Sequence, residues 1–162
     1  MYKFRLILDT KEDIIREIAI SKEFTLEELH ETIKSAFGFE SQEMASFYHT
    51  DNDWNQGDEI PLFNMNEQVG GLSQMKDYKI ELIFNTQNKH LIYVYDFLNL
   101  WTFFIEHIGD YITPILDNTP LLLFSLGDLP KEAPKKEFEI PKNNEDDEFD
   151  IFDGDDEFND YY

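Results

Sequence analysis

A chain of 162 residues with no cysteine and a formal net charge of −22 suits one domain plus an appendage. It excludes a disulfide framework, a thiolate zinc site and a cysteine nucleophile. Thirteen Lys and Arg against 35 Asp and Glu supply little to displace phosphate counterions, which argues against direct binding to nucleic acid or an anionic membrane and for a basic protein partner.

The apolar run in residues 1–9 is too short for a signal peptide, and no stretch approaches the roughly 20 apolar residues of a spanning helix, so the expected location is the cytoplasm. Residues 2–8 and 14–20 read as two strands joined by a polar turn. A helix follows with a clear start: Thr25 as N-cap, Glu28 completing a capping box, and Phe24 and Leu29 placed as a hydrophobic staple. Leu26, Leu29, Ile33 and Phe37 share one face at helical spacing, and Gly38 is a C-terminal cap. Phe47–Thr50 reads as a third strand, residues 51–58 as a polar turn region and residues 61–71 as a loop. Residues 79–84 are ambiguous, because their β-branched side chains favour a strand while Asp77 is placed to cap a short helix.

Residues 93–104 carry six aromatic rings around one Asp. Leu91, Tyr93, Tyr95 and Phe97 alternate with Ile92, Val94 and Asp96, and the alternation resumes with Trp101, Phe103 and Ile105 after Leu98-Asn99-Leu100. This is the pattern of a β-hairpin suited to a buried, pleated surface. Asn99 is the turn residue best able to adopt positive φ. Residues 120–124 read as a short buried or edge strand, and Pro130 and Pro134 close the domain.

The character then changes. Residues 143–162 hold ten Asp or Glu and no Lys or Arg, leaving −12 on residues 1–142. Such a run is expected to stay disordered when free. Phe149, Phe152, Phe158, Tyr161 and Tyr162 punctuate the acids, a composition associated with interaction segments. These five are the candidate binding residues, anchoring in a groove while the acids steer toward a basic rim. A solubility tail is the bland alternative. Asp153-Gly154-Asp155-Asp156 lacks the ligand spacing of a calcium loop.

No other motif carries chemistry. His30-Glu31-Thr32-Ile33-Lys34 has Lys34 where a metalloprotease helix needs its second His, and reads as a solvent-facing surface. His49, His90 and His107 are scattered, and Gly70-Gly71 lacks the rest of a phosphate loop. No metal and no cofactor are assigned. Asp96 is the candidate catalytic group, since partial desolvation between Tyr95 and Phe97 would suit a general base. Acceptance of hydrogen bonds from its own turn is the favoured reading. Tyr93, Tyr95 and Trp101 form a possible ligand surface, weighed against the commoner role of aromatic residues in a core.

Several of these segments, taken in order, resemble the plasmid pRiA4b ORF-3-like family, which is associated with insertion elements. Tyr93, Tyr95, Asp96, Phe97 and Trp101 match its Tyr-x-Tyr-Asp-Phe-Gly-Asp-x-Trp-x-His pattern. Arg16-Glu17-Ile18, residues 25–30, Ala36-Phe37-Gly38-Phe39 and residues 125–130 are further echoes. The resemblance spans about residues 2–133 and favours a helix at residues 79–84. It breaks at polar positions: Leu98-Asn99 replace Gly-Asp, Phe103 replaces His, and Glu43 and Ala45 replace the two His of a second pattern. The resemblance therefore implies a fold without a complete polar site.

The resulting expectation is an α+β domain over residues 1–133, with a small mixed β-sheet, a β-grasp-like β-β-α opening and a later aromatic hairpin. Residues 134–162 form an acidic, aromatic-containing tail. The function expected is a non-enzymatic interaction module that docks onto a basic partner. The alternative is a divergent enzyme or ligand-binding domain using Asp96 and Trp101.

Overall fold

Alternating apolar side chains on successive strands can be buried only if the strands share a sheet with one face covered, and the chain folds in that way. The computed structural model describes residues 1–65, 74–114 and 116–136. Its strands are β1 (Tyr2–Leu8), β2 (Ile15–Ile20), β3 (Ala45–Thr50), β4 (Gln56–Pro61), β5 (His90–Tyr95), β6 (Trp101–Asp110) and β7 (Leu121–Leu126). They form one seven-stranded sheet in the order β4-β3-β5-β6-β1-β2-β7. The α+β class and the β-β-α opening are as expected. The sheet is larger than its sequence pattern implied, and its strand pairs are antiparallel.

Helix α1 (Leu26–Phe37) begins with the capping box. The Glu28 N–H donates to Thr25 Oγ1 at 3.3 Å and the Thr25 N–H donates to Glu28 Oε2 at 2.7 Å. The helix ends at Gly38, whose φ of 78° is the left-handed conformation that glycine adopts without strain. Leu26, Leu29, Ile33 and Phe37 pack onto Phe4, Leu6, Ile18, Tyr93 and Phe103 from the sheet in one core.

Two details differ from the sequence reading, strand β4 and the role of Asp77. Strand β4 lies where a polar turn and loop were expected. Among the described residues it is an edge strand paired only with β3, and Gln56 to Glu59 are exposed, so no buried period marks it. Of the loop expected over residues 61–71, residues 66–71 lie outside the described residues, Gly70 and Gly71 among them. The ambiguous segment is a single helical turn, α2 (Ile80–Ile83), with Lys79 at its N-cap. The Ile80 and Glu81 N–H groups donate to the Phe24 and Lys22 carbonyls, so the segment is tied to the entrance of α1. Asp77 ends a preceding 3-10 turn, its carboxylate accepting from the Gln74 N–H at 3.3 Å, and does not cap α2.

Candidate functional site

The β5–β6 hairpin holds the candidate catalytic group of the alternative reading, and its turn is built on that residue, Asp96. The Asp96 N–H donates to the Met44 carbonyl at 2.9 Å, and the Asp96 carbonyl accepts from Leu100 N at 2.6 Å and Asn99 N at 3.1 Å. One carboxylate oxygen accepts from Leu98 N at 3.1 Å, the other from Asn99 Nδ2 at 2.6 Å. Both oxygens are therefore engaged within the turn.

The positive φ angles fall at Asp96 (61°) and Leu100 (56°), not at Asn99. The Asp96 carboxylate draws the Asn99 amide inward, so the left-handed residues are those on either side of the loop. Leu98, standing where the family pattern has Gly, is not at positive φ, so losing that Gly costs no backbone strain.

The aromatic side chains of the hairpin are interior. Tyr93 and Tyr95 are buried and Trp101 nearly so. Phe39, just past the end of α1, stacks on Tyr95 at 4.4 Å and meets Trp101 edge-on at 5.2 Å. The Tyr95 hydroxyl donates to the Ser41 carbonyl at 2.7 Å. Protein side chains thus cover the rings read as a possible ligand surface. Phe103 and Ala45, at the family's polar positions, are fully buried.

A polar cluster that the sequence reading placed at the surface lies beneath α1. His30 is 1% exposed, and its Nδ1 lies 2.7 Å from the Tyr93 hydroxyl. Its Nε2 faces the Glu31 carboxylate at 3.5 Å, and Glu31 also lies 3.6 Å from the ammonium of Lys34, itself buried. A carboxylate only accepts, so Nε2 carries the proton and Nδ1 accepts from Tyr93 O–H. Burial lowers the His30 pKa to about 4, with Glu31 opposing and Lys34 adding a smaller lowering. Burial likewise pushes the Tyr93 phenol well up. The cluster joins exposed Glu31 to a phenol packed against Phe47 at 4.9 Å and Phe103 at 5.9 Å. The missed signal was spacing: His30 and Lys34 follow Leu26 at four-residue steps, inside the same helical stripe.

The other histidines are dispersed. His107 packs on Tyr2 at 4.3 Å, and His90 lies against Trp54 at 4.6 Å with Nε2 3.8 Å from Glu106. Among the described residues, no three His, Cys, Asp or Glu side chains converge as metal ligands would.

At the hairpin tip, Phe97, Leu98 and Leu100 are exposed, Leu98 at 92%. A concavity of about 690 Å³ beside it is lined by the β1–β2 turn, Leu100 and Pro134 to Lys136. The last described residues therefore lie at this end of the sheet. Phe149, Phe152, Phe158, Tyr161, Tyr162 and the Asp153–Asp156 segment lie outside the described residues.

The family model described as plasmid pRiA4b ORF-3-like protein matches residues 1–133. The chain belongs to that family. The pRiA4b-type fold is also similar to a solved structure from Methanosarcina mazei Go1, the protein of unknown function MM3350. The TM-score is 0.63 at 20% identity, over 76% of this chain and 68% of that one. That likeness concerns the fold alone. No curated protein matches. Among the described residues, no helix is long and apolar enough to cross a membrane.

Proposed function

We propose that this pRiA4b-type protein is a non-enzymatic interaction module that recruits a basic protein partner. Residues 1–133 act as a folded platform and residues 134–162 as the recruiting segment. The observation that carries the reading is the composition of residues 143–162, ten acids and no Lys or Arg, with Phe149, Phe152, Phe158, Tyr161 and Tyr162 set among them. The acids raise the encounter rate with a cationic surface, and aromatic side chains supply the buried contact that charge alone does not. The platform supports this arrangement. Its last described residues lie beside the hairpin tip, where Phe97, Leu98 and Leu100 offer a partner a second apolar contact.

The engagement of both Asp96 oxygens within its turn argues against the alternative of an Asp96 base with a Trp101 wall. Replacing the five tail aromatics by Ser while keeping every acid tests the anchoring. Partner capture at moderate salt falls sharply if they anchor; capture equal to wild type would reject the mechanism.

A further inference from the structure

The two edges of the sheet are treated differently. An edge strand presents unpaired backbone N–H and C=O groups, and proteins blunt such edges with charge or proline. Strand β4 follows that rule with exposed Asp58 and Glu59 and with Pro61 at its end. Strand β7 does not. Residues 119–127 contain no ionisable side chain, and Leu122, Phe124 and Leu126 are 55%, 46% and 45% exposed. Among the described residues, β7 pairs only with β2.

Beside this edge lies a groove against α1, made of two adjoining concavities of about 380 and 370 Å³. Its floor is apolar, with Ile18, Ala36, Leu121 and Leu122. Its rim is the flank of α1 carrying Glu27, Glu28 and Glu31. Register divides the edge further. Leu122 pairs opposite Ile18 on the helix-covered face, and a bulge then turns Phe124 opposite Glu17 and Leu126 opposite Ile15, on the open face.

From this geometry we infer that β7 is a docking edge for an extended cationic peptide, added as an eighth strand. Its basic side chains turn toward the glutamates of α1 and its apolar ones toward Phe124 and Leu126. Backbone pairing along a free edge supplies affinity, and side chains on alternate faces supply selectivity. Charge selects this occupant over a second copy. A two-fold β7–β7 pairing would bring two α1 flanks, each lined by the same three glutamates, toward one another in molecules already carrying −22. The site is separate from the recruiting segment of residues 134–162 and does not depend on it.

The test uses the full chain and an end-blocked peptide of alternating Lys and Val, about eight residues long, followed by amide chemical shifts. The expected shifts fall on β7 and on the Glu27–Ala36 flank of α1. Glu27→Lys with Glu31→Lys, or Leu122→Lys alone, weakens that binding about tenfold, while Asp58→Lys on the opposite edge strand, β4, leaves it unchanged. A peptide N-methylated at every residue keeps its charge but has no N–H left to donate to an edge, and is expected to leave β7 unshifted. Equal shifts in β7 from the methylated peptide, or shifts confined to residues beyond 136, would overturn the inference. So would concentration-dependent dimerisation of the free chain that Leu122→Lys abolishes, since the edge would then belong to a second copy. Loss of β7 binding with partner capture by the tail intact would reject this site and leave the recruiting segment standing.

Discussion

Acidification should weaken the protein through His30 before its carboxylates are titrated. The imidazole is buried under α1, with its pKa lowered to about 4 from 6.5. The unfolded chain therefore takes up the proton first as pH falls. Stability is complete above about pH 6.5 and declines as pH drops toward 4. Between pH 7.5 and 5 that difference corresponds to about 2 kcal/mol. The assay is urea unfolding of wild type and His30→Gln at both pH values. Gln does not titrate, so wild type should lose about 2 kcal/mol more than the variant. His107, also lowered by burial, acts with the same sign in both proteins and cancels. Glu17, held low first by its hydrogen bond to Lys3 and also by Arg5, loses its contribution only as pH falls below its ordinary range near 4.5. It therefore lies outside the window. Equal losses in the two proteins would refute the buried, neutral imidazole.

Other perturbations read out single contacts. Asp96→Asn removes an acceptor from the turn that Leu98 N and Asn99 Nδ2 share, and should cost about 1–2 kcal/mol in chemical denaturation; an unchanged melting temperature would count against the turn role. Gly127→Ala should cost clearly more than Gly38→Ala. Both have positive φ, worth about 1–2 kcal/mol, but a Cβ on Gly127 would sit 2.6 Å from the Asp13 carbonyl while one on Gly38 meets nothing within 4 Å. Comparable melting temperatures for the two would contradict the packing at the end of β7. Thr25→Ala should cost about 1 kcal/mol by removing the cap of α1, readable as a shift in the denaturant midpoint.

Much of the fold was legible because local chemistry and long-range burial agreed. Thr25, Glu28 and Gly38 mark the ends of α1 whatever surrounds it. Tyr93, Tyr95, Trp101 and Phe103 alternate because they share the hairpin face that enters the core, although Ile92, Val94 and Thr102 between them are buried too. Strand β4 was hidden for the opposite reason: a solvated edge needs no apolar period, so Gln56 to Glu59 look like a turn. Asp96 carries the left-handed φ expected of Asn99 because side-chain hydrogen bonds across the turn select its shape, and spacing does not report those. His30 was misplaced because polarity was weighed above position. Tyr93, 63 residues away, supplies the partner that permits its burial. The α1–β7 groove joins residues 18, 36 and 122, which no local pattern connects.

Recruitment of a cationic partner is assigned to the acidic residues 143–162. Its most direct measurement compares partner capture by the full chain and by a form ending at residue 142, at about 50 and 300 mM salt, where screening of exposed charges differs severalfold. Capture that is strong only for the full chain and falls steeply at the higher salt is the predicted result. Capture of every partner by the shortened form, with the same salt dependence, would contradict it.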